Sequence, residues 1–143
     1  MSQRQGLTVS PAVRRAIVAH ARRDRPLECC GLLLGRGTSI VFAVPTPNVV
    51  ASPVRYRVDP MTHIDVQRVL RLLAPPLDIV GVYHSHPAGE PLPSPTDIAE
   101  ASYPEWAHII IGFRSGRPLV NAFTIQRGRV RALRIQWSMI RRG

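Results

Sequence analysis

Ile79-Val80-Gly81-Val82-Tyr83-His84-Ser85-His86, then Pro87-Ala88-Gly89-Glu90-Pro91-Leu92-Pro93, then Ser94-Pro95-Thr96-Asp97 is the stretch on which the reading of this chain turns. The first part is apolar and β-branched and reads as a strand whose last histidines, two residues apart, point to one face. The prolines that follow make the next part too stiff and irregular to continue that strand. Ser94-Pro95 is an N-cap residue with proline at the first helical position, which places Asp97 at N3 in the first turn. From there its carboxylate can face back towards the strand end.

Two imidazoles and a carboxylate, with water in the fourth position, suit an open catalytic metal site better than a closed structural one. Ligand type alone leaves zinc and non-haem iron both open. Two plainer readings stand beside it. Ser94-Pro95-Thr96-Asp97 also reads as a helix capping box, and His84-Ser85-His86 as half-buried polar residues where a strand surfaces. The coincidence favours the metal site, because a chain with five histidines places two at strand spacing just before an acid-bearing helix.

A hydrolytic metal site also needs a proton shuttle to the leaving group. The candidate is Glu28, an acid at the mouth of the apolar run Cys29-Cys30-Gly31-Leu32-Leu33-Leu34. Its plainer reading is a solvated strand end.

The same start signal as Ser94-Pro95 recurs at Ser10-Pro11 and Asp59-Pro60. The first opens a helix of about 13 residues with Val13, Ile17 and Ala21 on one face and Arg22 and Arg23 at its C-terminal end. The second predicts a helix from Met61 to about Leu73 with an apolar face of Met61, Ile64, Val69, Leu70 and Leu73, and the third a short helix from Ser94 to about Ser102. Between them lie β-like runs at Cys30 to Leu34, Ile40 to Val44, Tyr56 to Val58, Ile79 to His84, His108 to Phe113, Leu119 to Ile125 and Val130 to Trp137, with a tight turn at Gly35-Arg36-Gly37. This mixture, without strict βαβ alternation, predicts an α+β or α/β mixed sheet flanked by helices. Residues 1–143 read as one domain, long enough to bury a core without metal staples, so a zinc ion here would serve chemistry and not folding.

Hydrophobic residues make up 45% and charged residues 20%, the composition of an ordinary globular protein and not of a disordered or membrane-spanning one. The net charge of +10 raises the possibility of nucleic-acid binding. All 19 basic residues are arginine, however, and the 14 prolines beside them match the codon bias of a GC-rich genome. The arginines run from Arg4 to Arg142 with one cluster at Arg127, Arg129, Arg131 and Arg134, which fits an acidic protein partner better than DNA. Cys29 and Cys30 are adjacent, cannot easily reach disulfide geometry and do not imply an oxidising compartment. The N-terminus lacks the apolar core of a signal peptide, so the protein reads as cytoplasmic.

The segment from His84 to Asp97 carries His-Ser/Thr-His, seven residues, Ser, two residues, Asp, and so resembles the JAMM (MPN-plus) metalloproteases. The upstream pattern Pro-x-Glu-x-Cys-Gly-x-Leu-x-Gly is matched at Pro26, Glu28, Cys30, Gly31, Leu33 and Gly35. Asn48 and Arg55-Tyr56-Arg57-Val58-Asp59-Pro60 look like the connecting region of prokaryotic members. The resemblance covers roughly Ser10 to Phe113, with no departure at a motif position.

The resemblance implies a cytidine-deaminase-like sandwich, with a mixed curved sheet between helices. It implies Zn2+ held by His84, His86 and Asp97, Glu28 as the general acid/base that activates water and then protonates the departing amine, and Ser94 as a donor to the oxyanion. The activity implied is hydrolysis of peptide or isopeptide bonds after the C-terminal tail of ubiquitin-like or sulfur-carrier proteins, including release of an attached cysteine. The short chain favours a compact prokaryotic type, lacking the large insertions of eukaryotic members. Such carriers are frequently acidic, and the arginine surface could steer one in.

Two other readings are a metal-free MPN-type scaffold, against which the complete ligand set argues, and a nucleic-acid binder. A nucleoside deaminase would need His-x-Glu and Pro-Cys-x-x-Cys, and neither occurs. Cys29 and Cys30 read as small core residues, His108 as a hydrogen-bonded strand-end histidine, His20 and His63 as solvent-facing, and Trp106 and Trp137 as packing residues.

Overall fold

The computed structural model describes residues 6–139. Residues 1–5, where the sequence suggests no signal peptide, lie outside the described residues, as do the outermost arginines Arg4 and Arg142. The elements run β1 (Gly6–Val9), α1 (Pro11–Asp24), β2 (Cys30–Arg36), β3 (Ser39–Thr46), α2 (Pro60–Leu70), β4 (Asp78–His86), α3 (Pro95–Glu100), β5 (Ala107–Gly112), β6 (Leu119–Gln126) and β7 (Arg129–Trp137). The mixed α+β organisation expected from the sequence is the one observed. Among the described residues no helix is long and apolar enough to cross a membrane.

The strands form one sheet in the order β1-β3-β2-β4-β5-β6-β7, and β1 closes it by pairing in parallel with both β3 and β7. Four residues are too few for a periodic signal, so β1 escapes a reading of the sequence. Its Leu7 and Val9 are nevertheless buried, and its backbone occupies what would otherwise be two open strand edges. The β2–β3 hairpin turns at Gly37, whose φ of 59° suits glycine.

Helix α1 starts as its sequence dictates, with Ser10 Oγ accepting from the Ala12 N–H at 3.2 Å. It buries Val13, Ile17, Val18 and Ala21 against Leu33, Tyr83, Ile109 and Ile111 on one face of the sheet. Each fully buried Val, Ile or Leu side chain here contributes about 1.5–3 kcal/mol. Tyr83 lies across Gly31, where a Cβ would come within 2.3 Å of the ring. Its hydroxyl meets His20 Nδ1 at 2.7 Å, and His20 Nε2 reaches Asp24 at 3.2 Å. His20 is therefore buried, not solvent-facing: this network compensates the polar ring for its burial.

Two other expectations are corrected. Helix α2 stops at Leu70, where Leu72 and Leu73 N–H groups bond three residues back, and of its expected apolar face only Leu70 is buried. Met61, Ile64, Val69 and Leu73 are exposed, and the face that α2 turns to the neighbouring cavities carries Pro60, His63, Gln67 and Leu70 instead. The run Tyr56 to Val58 forms no strand, only a single bridge between Asn48 and Val58. The Asn48 side chain takes the bonds that a ladder would have used, accepting from the Val50 and Arg57 N–H groups.

The second face of the sheet carries two cross-strand rows, Cys30–His84–Ile110 and Leu32–Val82–His108. The first row has His84 at its middle, and His86 follows two residues along β4 on the same face.

Candidate metal centre

His84 and His86 leave the end of β4 on one face, and Asp97 returns to them from the first turn of α3. The intervening loop is fastened to the sheet: Phe113 N–H donates to His86 O, Arg114 N–H to Gly89 O, and Asn121 Nδ2 to Pro91 O. Gly112 lets it lie close, since a Cβ there would come within 2.5 Å of Pro91 N.

His84 Nε2, His86 Nε2 and Asp97 Oδ2 form a nearly equilateral triangle, with separations of 3.1 Å and 3.2 Å to the oxygen and 3.2 Å between the nitrogens. Two tetrahedral ligands with bonds of 2.0–2.1 Å stand about 3.3 Å apart, so the donor set and its spacing fit a small divalent metal. Glu28 brings a carboxylate oxygen within 4.8 Å of both imidazoles, which makes a second, overlapping three-donor group. The tighter triangle is the better fit. Glu28 stands further off, and one of its oxygens, Oε1, is buried without a hydrogen-bond partner among the described residues.

Glu28 is held in place by its backbone. Its N–H donates to Ser52 O at 2.9 Å, and its carbonyl accepts from Asn48 Nδ2 at 3.1 Å. Burial is the main reason its carboxyl is pushed up to about 8, with Asp97 adding to the shift and His86 opposing it. The solvated-strand-end reading is thereby corrected: Glu28 is 3% exposed. Burial also opposes ionisation of Asp97, but hydrogen bonds with His84, His86 and the Ser94 N–H hold it far below the usual carboxylate range. Burial lowers His84, whereas contact with Asp97 and the Glu90 carbonyl raises His86 despite burial.

Ser94 forms the full capping box: its Oγ accepts from the Asp97 N–H at 3.0 Å, and Asp97 Oδ2 accepts from the Ser94 N–H at 2.9 Å. The plain capping reading and the ligand reading of Asp97 therefore describe the same atoms. Ser94 Oγ makes no other hydrogen bond among the described residues.

A ligating histidine ordinarily anchors its second ring nitrogen. His86 does so through Nδ1 to Glu90 O at 2.8 Å, whereas His84 Nδ1 has no partner among the described residues. The Tyr56 ring takes over that orienting role, stacked on His84 with centroids 4.2 Å apart and planes at 18°. The sequence reads Tyr56 as part of a connecting region and the start of a short β-like run, and gives it no place at the site. A lone aromatic in an irregular loop carries no periodic signal.

The remaining residues separate clearly. Cys29 and Cys30 are fully buried, and burial pushes their thiols up to about 12 and about 11, so they are core residues and not ligands. His63 is half-buried against Tyr103 and Trp106, and Trp137 packs on the core. His108 was expected to be hydrogen-bonded. It is instead buried with both ring nitrogens unpartnered among the described residues, and burial first, then His84, lowers it to about 4.

Residues 10–127 match the family described as prokaryotic homologs of the JAB domain. The chain is similar to a desampylase of Haloferax volcanii, 36% identical over 111 residues covering 73% of this chain and 78% of the relative. It is similar to a CysO-cysteine peptidase of Mycobacterium tuberculosis, 36% identical over 110 residues covering 76% and 74%. It is likewise similar to a probable TtuB-protein conjugate cleaving protease of Thermus thermophilus, 36% identical over 116 residues covering 80% and 73%. Among solved structures, a Desulfitobacterium hafniense protein superposes with a TM-score of 0.82 at 28% identity, covering 92% of both chains. A JAB1/MPN domain protein from Archaeoglobus fulgidus shares the fold, with a TM-score of 0.59 at 16% identity over 92% of this chain and 98% of that one.

Proposed function

The chain belongs to the family of prokaryotic JAB-domain homologs, and from that premise we propose that it is a zinc-dependent peptidase cutting the bond after the C-terminal tail of a ubiquitin-like or sulfur-carrier protein. The observation that carries the reading is the His84–His86–Asp97 triangle with the raised Glu28 carboxyl beside it. The relatives whose names specify conjugate cleavage and cysteine release support the substrate class. In this reading residues 1–143 are a single domain of cytidine-deaminase-like architecture acting in the cytoplasm.

His84, His86 and Asp97 would hold the metal. Zinc there would supply Lewis acidity, polarising the scissile carbonyl and lowering the pKa of water to about 7. Glu28 takes a proton from the attacking water and delivers it to the leaving nitrogen, a two-way task suited to a carboxyl pushed up by burial. The Ser94 hydroxyl hydrogen is directed at the developing oxyanion while its lone pair keeps the Asp97 N–H capped. Tyr56 shields one face of His84.

The test is to incubate the zinc-loaded protein with a panel of ubiquitin-like and sulfur-carrier adducts, with and without chelator, and to identify products by mass spectrometry. Chelator-sensitive release of the intact carrier tail is expected. Cleavage of none of the adducts would return the protein to the scaffold reading.

A further inference from the structure

Asn48 follows β3 and is half-buried where the chain enters the loop to Tyr56. Its side-chain amide is fully engaged. Nδ2 donates to Glu28 O at 3.1 Å and to Arg55 O at 3.0 Å, while Oδ1 accepts from the Val50 N–H at 3.2 Å and the Arg57 N–H at 3.0 Å. An amide has two donor hydrogens and two acceptor lone pairs, so these four bonds use its whole capacity and fix which way round it lies. An aspartate would offer no donor to the two carbonyls, and a serine only one.

The loop grips Glu28 on both sides of its Cα. Besides the carbonyl held by Asn48, the Glu28 N–H donates to Ser52 O at 2.9 Å. Ser52 follows Ala51, a non-glycine residue at φ 44°, a left-handed conformation that persists only where its surroundings over-determine it. Here Asn48 supplies those surroundings: its Oδ1 takes the Val50 N–H and its carbonyl the Ala51 N–H at 3.0 Å. Arg55 extends the grip to the ligand side. Its carbonyl accepts from the same Nδ2, and its guanidinium forks onto Glu100 at 2.7 Å and 3.3 Å, in the helix that bears Asp97.

We propose that Asn48 is a positioning residue for the hydrolysis, holding Glu28 in register with the ligand triangle through the Glu28 carbonyl. The inference rests on the reading of Glu28 as the group that moves the proton. A carboxylate on a flexible side chain is aimed by the backbone from which it springs, and misplacing a reacting group by about 1 Å costs about a hundredfold in rate. Asn48 itself touches neither substrate nor reacting atoms; it acts through Glu28.

The experiment compares N48D with the wild type, each with and without E28Q, in the metal-loaded protein on one carrier adduct. N48D keeps an oxygen for the Val50 and Arg57 N–H groups and removes both donors. It is expected to lower kcat at least about tenfold with KM within about threefold, and to bind metal at wild-type stoichiometry by elemental analysis. In the E28Q background the same substitution is expected to change kcat by less than about twofold, since Glu28 is no longer there to be aimed. N48S serves if N48D does not fold. Apart from turnover, amide hydrogen exchange in the chelated protein is expected to be at least about tenfold faster at Glu28 in N48D and unchanged at Arg57. The same fold-loss of kcat in both backgrounds, an unchanged kcat in N48D, or wild-type exchange at the Glu28 amide would each overturn the positioning role and leave the hydrolase reading standing. Cleavage of no adduct by the wild type would overturn the hydrolase reading, and the positioning role with it.

Discussion

Ser85 and Cys29 are joined twice, Ser85 N–H donating to Cys29 O at 3.2 Å and Ser85 Oγ accepting from Cys29 N–H at 2.9 Å. The pair clamps the segment carrying Glu28 to the strand carrying His84 and His86. Ser85→Ala leaves the buried Cys29 N–H without its acceptor and is expected to cost about 1–3 kcal/mol. Urea denaturation measures that cost. Bound metal, measured by elemental analysis, is expected to stay at wild-type stoichiometry, and Ser85→Thr to restore stability.

Glu28→Gln is expected to keep the metal and lower kcat by about a hundredfold or more, the usual scale of a lost general acid/base. His84→Ala and Asp97→Ala are expected to lose metal and turnover together. Elemental analysis beside a cleavage assay separates the two classes, and a fully active Glu28→Gln enzyme would remove Glu28 from the mechanism.

The buried His108 makes stability depend on pH. Its folded value of about 4 lies below the ordinary 6.5, so the unfolded chain binds more protons between these values. Stability is fully present above about 6.5 and declines as pH falls towards 4. For a displacement of this size the total loss is about 3 kcal/mol. Chelated wild-type protein is expected to lose stability between pH 7 and pH 5 that H108L retains, as read from urea midpoints.

Gly31→Ala places a methyl group 2.3 Å from the Tyr83 ring, which the hydroxyl bond to His20 holds in position. Overpacking of this kind costs about 1–3 kcal/mol or more. A lowered Tm in a thermal scan checks it; an unchanged Tm would mean that the ring moves without cost.

Arg127, Arg129 and Arg131 line a groove beside Ala101, which also borders the cavity next to Asp97. If they steer an acidic carrier, kcat/KM for a carrier adduct falls between low and physiological salt. Replacing all three with glutamine is expected to flatten that dependence while cleavage of a short tail peptide stays the same. A salt-insensitive wild-type rate would assign the arginines to genome composition.

The strand ending in His84 and His86, the stiff loop and the capped helix bearing Asp97 were legible in the sequence because each is a local pattern. Alternation, proline spacing and the Ser94 capping box all act within a few residues, and the triangle of candidate ligands lies at their junction. What tertiary structure decided was everything set by strand register or by burial. Pairing of Cys30 with His84 carries Glu28 to the imidazoles, closure of the sheet by β1 buries Leu7 and Val9, and the loop folded around Asn48 brings Tyr56 onto His84. The same register sinks His108 with no ring-nitrogen partner among the described residues, while Met61, Ile64 and Val69 of α2 stay exposed. Periodicity reports which residues share a face. Whether a face meets core, cavity or water depends on segments far away in the chain, and so only the folded sheet determines it.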